Sequence, residues 1–305
     1  MSYELELRDL KYFETIAELG HLGKAAQKLY RSQPALTSCV HRLEQTFGTS
    51  LFERVGRGIR LTPAGEALLV RARRLRVATD EAIREMNEVA HGDAGQVRIG
   101  AAPTMAQLFL PAAFRVFLAE AKDVRLRTVI AQNDSLKASL RAGDLDFVIS
   151  FDTQVDDDLV SQTILEDVVV VAASSSHEVF RKRLKIKDLI AYQWVLAAPP
   201  VETRQWLDLA FSSRGLPRPS ARIESNLVTL LPRLIAQTSL LSFVSRRHVS
   251  SGRGGSALRE FPLKETTMRR LGKVIHRKDS HLPPAAQRLL KLLCTSGKVL
   301  FQENS

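Results

Sequence analysis

The sequence predicts a mixed α/β chain in three parts: a small helical unit ending in a β-wing, one long linker helix, and a two-lobed α/β unit. Three observations carry this. Residues 22–60 compress two short helices, a tight turn and a basic hairpin into one short stretch. From Thr62 to His91, apolar and small residues recur in steps of three and four. Beyond Gly95, short apolar runs alternate with segments of helical periodicity. The expected boundaries are 1–62, 63–92 and 93–305, with lobes at about 93–166 plus 267–305 and about 167–266.

The first short helix begins near Leu22 and places Ala25, Ala26 and Leu29 on one side. Adjacent alanines let a second helix cross closely. Tyr30, Arg31 and Ser32 make the turn, Ser32 is placed to cap the next helix, and Pro34 falls in its first turn, where a missing N–H costs little. The second helix carries an apolar stripe at Leu36, Val40, Leu43 and Phe47. Ser38, His41, Arg42 and Gln45 face the other way, with Gln33 and Thr37 on the flank. These side chains reach base edges or phosphates, whereas a helix facing only water would carry Glu–Lys pairs. Arg42 has no acid three or four residues away to pair with. Gly48 is a natural stop.

Leu51 and Phe52 begin a strand, Gly56 and Gly58 permit a turn, and Ile59–Leu61 return, presenting Arg54, Arg57 and Arg60. Between Gly20 and Arg76 there are eleven Lys and Arg against three acids, in a chain of net charge +11. A patch of this kind neutralises phosphates and makes binding salt-dependent. A helix–turn–helix with an arginine-bearing wing is a way of seating one helix in a DNA groove.

The run from Lys24 to Gly65 resembles the N-terminal signature of the LysR-type transcriptional regulators. Ala25–Ala26, Ser32–Thr37, Leu43–Glu44, Leu51–Arg54 and Leu61–Gly65 stand in the family's order. The resemblance implies a winged helix-turn-helix, a linker helix and a regulatory half. Carried over by motif position, Gln33, Pro34, Thr37 and Ser38 approach the bases. Lys24, Ser32, Arg54 and Arg57 contact the backbone or the adjacent minor groove, and Arg42 is a further expected contact. Two places depart from the pattern: His21–Gly23 at the entry of the first helix, and Ser38–Cys39 in the second. Both bear on base preference rather than docking.

Thr62 and Pro63 start the linker helix, with Glu66 near its N-terminus, where the dipole favours an acid. Leu68, Ala72, Leu75, Thr79, Ala82, Met86 and Val89 form a heptad seam of small and mixed residues. The expectation is a dimer seam, because paired recognition helices must sit one groove repeat apart; packing on its own domain is the competing explanation. Gly92–Gly95 reads as a hinge. The resemblance suggests that dimers pair into tetramers.

In the remaining 210 residues, strands are expected at 97–100, 124–130 and 147–150, with helices at 107–117 and 135–141 between them. This βαβαβ series predicts a parallel sheet. A long apolar strand at 166–173 passes toward a second lobe. That lobe alternates 194–197, 203–213, 221–223, 227–236 and 240–244, before a returning strand at 268–276 and a closing helix at 284–294. Two lobes joined by two crossings resemble periplasmic binding proteins, the architecture of the family's regulatory half. Open α/β sheets take ligands beyond their strand carboxyl ends. That rule nominates Thr104, Asn133, Ser150, Thr203 and Asn226 for a small organic effector, with a carboxylate or aromatic acid as the expected class. Thr104 comes just before a helix and is either an anion holder or an ordinary cap; Pro199 and Pro200 shape a turn. The basic run Arg246–Lys278 reads as a solvated face, with bent DNA brushing it as the alternative.

Charges at Glu4, Glu6, Arg8 and Asp9 interrupt any leader-like apolar run, and no stretch is long enough to span a membrane. Two cysteines, Cys39 and Cys294, fit a reducing cytoplasm without a disulfide; a single cysteine in the regulatory half argues against thiol-pair peroxide sensing. The histidines are scattered, without zinc spacing, and there is no nucleophile elbow or phosphate loop. No cofactor, metal or catalytic residue is expected. The implied function is ligand-switched control of a neighbouring operon and of the chain's own gene. It acts through double-stranded DNA carrying an interrupted palindrome and through RNA polymerase. The rival is an architectural binder or repressor that needs no ligand.

Overall fold

The computed structural model describes residues 5–56, 58–91, 95–152, 156–181, 184–199, 201–250, 257–278, 280 and 282–303. Arg57, Gly92–Ala94 of the expected hinge, Pro200, Arg253 and His281 lie outside them, as does the side chain of Val89. The chain separates into two compact units, residues 1–90 and 91–305.

The first unit runs α1 (Leu7–Leu19), α2 (Leu22–Leu29), α3 (Gln33–Phe47), β1 (Phe52–Val55), β2 (Gly58–Leu61) and α4, which extends over Pro63–His91. His21 Nδ1 accepts from the Gly23 amide at 3.0 Å, so the departure from the family pattern there is a histidine cap. Ser32 Oγ accepts from the Ala35 amide at 3.4 Å at the start of α3. Tyr30 closes α2 with φ 53°, a left-handed conformation costly for a side chain of this size. Ala25, Ala26, Ile16 and Leu36 pack where the three helices cross, and Leu10, Phe13, Cys39, Leu43 and Leu51 continue the core toward the wing. The buried stripe of α3 is therefore Leu36–Cys39–Leu43. Val40 is only half-buried and Phe47 is exposed, because α1 crosses α3 on the Cys39 side.

The wing is an antiparallel pair, Phe52↔Leu61 to Val55↔Gly58. Three of the family-like residues hold it. Glu44 accepts from the Leu51 amide at 2.8 Å. Thr62 donates to the Ser50 carbonyl at 2.7 Å and accepts from the Gly65 amide at 3.1 Å, tying the wing to the first turn of α4. Gly65 sits against the Leu51 carbonyl, where a Cβ would lie 2.1 Å from the oxygen.

The expected seam on α4 needs one correction. Leu68 and Ala72 pack into the core of their own unit, because the first turns of α4 lie on α1 and the wing. The later members Leu75 and Met86, with Ile83 beside them, stay exposed.

In the second unit, β3 (Gln96–Ala101), α5 (Pro103–Leu108), α6 (Leu110–Glu120), β4 (Arg125–Ile130), α7 (Asn133–Arg141) and β5 (Phe147–Ser150) form the expected βαβαβ. β3 pairs parallel with β4 and β5. β6 (Leu159–Ser174) then leaves, followed by β7 (Trp194–Ala197), α8 (Glu202–Ser212), β8 (Ala221–Ser225), α9 (Leu231–Ala236), β9 (Ser242–Ser245), α10 (Arg247–Ser250) and β10 (Leu258–Phe261). β11 (Thr267–Arg277) returns to α11 (Pro284–Glu303).

The parallel expectation holds for the βαβαβ series, but the whole main sheet, β10-β6-β11-β5-β3-β4 with β9 on β6, is mixed. β11 runs antiparallel to β6 and β5 because it retraces the crossing that β6 makes between lobes. β6 begins at Leu159 rather than 166; its first half is polar on the solvent side and shows no apolar run. β10 has no counterpart among the expected strands. The expected helix at 107–117 is two helices broken at Phe109, with Pro111 opening the second. The helix expected at 227–236 is a 3-10 turn at Val228–Leu230 followed by α9, and the last helix runs on to Glu303.

Each sheet face covers its own core through strand alternation. In the first lobe, Phe147 and Ile149 join Ile99, Met105, Phe109 and Leu289, while Val148 meets Leu136 and Leu140 of α7. In the second, Val169 and Val171 face Trp194, Leu207 and Phe211, while Ala172 faces Val195, Leu231 and Ile235. Among the described residues, no helix is long and apolar enough to cross a membrane.

Candidate DNA-recognition surface and ligand cleft

Burial of Leu36, Cys39 and Leu43 fixes which face of α3 remains outside. Gln33, Pro34, Thr37 and Ser38 are all exposed there, over its first two turns. Thr37 Oγ1 rests on the Gln33 carbonyl at 3.1 Å, and His41 and Gln45 pair at 2.9 Å. Ser32 is exposed at the N-terminus of α3, Lys24 is exposed on α2, and Arg54 is exposed on the wing; Arg57 is outside the described residues.

Arg42 departs from expectation. Its acid comes from α1: Nη2 donates to both oxygens of buried Asp9 at 2.8 Å, and Nε donates at 3.1 Å. Sequence spacing could not show a partner thirty-three residues away. The hydrogen bonds from Asp9 hold the Arg42 guanidinium above its ordinary pKa. Much of the basic cluster is similarly engaged. Arg31 donates to the Tyr12 hydroxyl at 3.0 Å, and Arg60 pairs with Glu53 at 2.6 Å. Arg73 and Arg76 of α4 reach Glu14 of α1 at 3.5 and 3.1 Å. The electrostatic field remains, but fewer side chains are left to reach phosphate.

Cys39 occupies the core where the family-like pattern has a polar residue. Burial, then the neighbouring Asp9 charge, pushes its thiol up to about 12. Burial also raises the Cys294 thiol. At pH 8 the thiolate is the alkylating species and Cys39 has almost none. Intact-mass analysis after iodoacetamide treatment should find Cys39 unlabelled in the folded chain and labelled in urea; equal rates in both states would contradict this environment.

In the second unit, a cavity of about 450 Å³ collects residues from both lobes. Of the five expected effector residues, Thr104, Asn133 and Thr203 line it. Ser150 lies behind the wall, fully buried, its Oγ accepting from the Asp152 amide at 3.3 Å. Asn226 is also off the wall; its carbonyl accepts from Gln132 Nε2 at 3.3 Å, a link between lobes. Thr104 does not cap a helix: it is the second residue of α5, whose cap position is Ala102, so the ordinary-cap explanation does not apply.

Sequence reasoning missed a buried ion pair at the wall of this cavity. Arg270 of β11 donates Nε and Nη2 to Asp167 Oδ2 at 2.9 and 2.7 Å, and its Cζ stands 3.7 Å over the Phe151 ring. Asp167 also accepts from Ser245 at 2.6 Å. Asp152, on the wall, pairs with buried Lys137 of α7. The only sequence signal was an acid standing at the head of an apolar strand. His248 faces the same cavity, and burial keeps its imidazole below the ordinary value.

The basic run at 246–278 is not simply a solvated face. Arg246 pairs with Glu260 at 2.7 Å, Arg277 donates to the Leu140 and Leu145 carbonyls, and Arg247 and Arg259 cover the rings of Phe301 and Phe180.

Residues 90–296 match the family model described as the LysR substrate binding domain, and residues 7–66 match that of the bacterial regulatory helix-turn-helix protein, lysR family. This chain belongs to the LysR family of transcriptional regulators. It is 29% identical to the HTH-type transcriptional regulator GalR of Pseudomonas putida over 86% of its own length, spanning 66% of that protein. Full-length CbnR complexed with its target DNA is 26% identical, with a TM-score of 0.55 over 96% of this chain and 100% of that one. A full-length OxyR variant from Pseudomonas aeruginosa, 22% identical, shares the fold at a TM-score of 0.65, over 96% of this chain and 94% of that one. The LysR-family regulator thus has a helix-turn-helix for DNA and an effector-binding domain of two lobes.

Proposed function

We propose that this regulator senses a small organic molecule in the interlobe cavity and controls a neighbouring operon and its own gene. It acts in the cytoplasm, on an interrupted palindromic operator in double-stranded DNA, and activates through RNA polymerase. The small molecule is taken to be a carboxylate, aromatic or otherwise. Exposed Leu75, Ile83 and Met86 support a dimer seam along the later turns of α4, with dimers pairing into tetramers. In this proposal 1–62 binds DNA, 63–92 joins protomers and 93–305 holds the effector. A ligand moves DNA-bound pairs only by its differential affinity for the two lobe arrangements.

The observation that carries the DNA half is the joint exposure of Gln33, Pro34, Thr37 and Ser38 on the opening turns of a helix whose other face is locked into the core. These four read bases, and Lys24, Ser32, Arg54 and Arg57 hold the backbone. Arg42 is left out of this set, since its guanidinium is committed to Asp9. On the effector side, Thr104, Asn133 and Thr203 meet the ligand, and Ser150 and Asn226 support the wall.

The test is a binding titration on the promoter fragment against random DNA. The double variant Gln33→Ala/Thr37→Ala should lose about 1–3 kcal/mol of sequence discrimination per lost base contact while keeping its random-DNA affinity and salt slope. Unchanged discrimination would remove these residues from the reading set.

A further inference from the structure

The charge pattern of the cavity narrows the ligand class, an inference that rests on the effector reading above. Among the described residues, Arg270 is the one lysine or arginine lining the cavity, its side chain only 9% exposed. Asp167 grips one edge of its guanidinium and Phe151 covers one face. With Nε and Nη2 turned to Asp167, Nη1 is the nitrogen left for an acceptor oxygen, and the group is immobilised before any ligand arrives.

The rest of the charge is negative. Asp134, Asp152 and Glu202 line the cavity. Among the described residues that line the cavity, these three carboxylates stand beside one guanidinium, which Asp167 already pairs from behind the wall. Asp134 and Glu202 also occupy the first turns of α7 and α8, so the positive potential of those helix ends is already answered by the chain's own acids. Thr104 belongs to a helix of six residues, too short to supply such a site. A ligand carrying only negative charge meets one guanidinium already paired with Asp167, and three acids among the described lining residues.

We infer that the cleft selects a small zwitterion, a molecule bearing one carboxylate and one ammonium group in the manner of an amino acid. The carboxylate lies on the outer edge of Arg270, the ammonium group faces the side of Asp134 and Glu202, and the apolar remainder packs against Val169, Leu231 and Phe243. The acids that repel a simple anion become the selecting groups.

The experiment is a thermal-shift and calorimetric screen of the full chain with the twenty protein L-amino acids. The des-amino acid and the decarboxylated amine of each are run beside it. The inference expects at least one amino acid to stabilise the second unit and to bind about five- to tenfold tighter than either of its analogues. Asp134→Asn/Glu202→Gln should then narrow or reverse the preference over the des-amino acid, while lowering the ligand-free unfolding temperature by no more than the few degrees that the loss of two helix-end acids costs. That pair is chosen because changing Arg270 would strand buried Asp167. Tighter binding of the des-amino acids overturns the zwitterion and leaves the effector reading standing. No stabilisation by any compound counts against both.

Discussion

Gly65→Ala should destabilise the N-terminal unit by about 3 kcal/mol and abolish operator binding at ordinary concentrations. The reason is backbone against side chain: the new methyl carbon would lie 2.1 Å from the Leu51 carbonyl oxygen and 2.9 Å from the Leu61 side chain. Neither neighbour is free to yield. Leu51 is held at its amide by Glu44, its carbonyl accepts from the Thr62 amide at 3.0 Å, and Thr62 caps the same turn. Relief requires moving the wing off α4. Gly48→Ala is the control. Gly48 adopts φ +66°, but a methyl carbon there would meet nothing within 4 Å. That change should cost only about 1 kcal/mol, the strain of a left-handed alanine. Urea unfolding followed by a probe in residues 1–90 separates the two; equal losses would show that close packing at Gly65 is not the cause.

The second large effect is in the regulatory half. Asp167→Ala should cost about 3–5 kcal/mol, because it leaves the Arg270 guanidinium buried with no counter-charge. The Asp167 side chain is 1% exposed and Arg270 9%. Ser245 loses its acceptor in the same step. Removing both charges as Asp167→Ala/Arg270→Met should recover most of the stability, since a buried pair replaced by apolar groups is often near neutral. The recovered protein should still lack its ligand response, because the immobilised donor has gone. If the single variant is as stable as the parent, the pair is not buried in solution as described.

Sequence legibility follows the range of the interactions. Capping and turn residues act over three or four positions, so Ser32, Gly48, Thr62 and the wing turn can be read directly. The family-like order of residues from Ala25 to Gly65 likewise reflects local duties: Glu44 holds the wing amides and Gly65 admits the Leu51 carbonyl. Arg42 looks unpaired in the sequence because its partner, Asp9, is distant along the chain and adjacent only once α1 crosses α3. Of the first three strands of the sheet, β5 is visible as an apolar run and β3 and β4 as apolar residues interleaved with polar ones. The antiparallel return is not, because a strand's direction depends on which lobe it enters.

The cavity divides in the same way. Thr104, Asn133 and Thr203 follow from the strand-end rule. Arg270 and Asp167 come together through a side-chain pair spanning 103 residues, for which the sequence offers no spacing signal, and Lys137 pairs separately with Asp152. The basic run from Arg246 to Lys278 reads as a surface partly because some of its acceptors, such as the Leu140 and Leu145 carbonyls, lie more than a hundred residues earlier.

The most direct test of a ligand-switched regulator is DNase footprinting of the full chain across the region upstream of its own gene, with and without small carboxylates and amino acids. The expected result is a long protected tract with hypersensitive bends, shortened or shifted by one class of compound. Protection that no compound alters would contradict ligand switching and favour an architectural binder. An absence of sequence-selective protection would contradict the reading of the exposed face of α3.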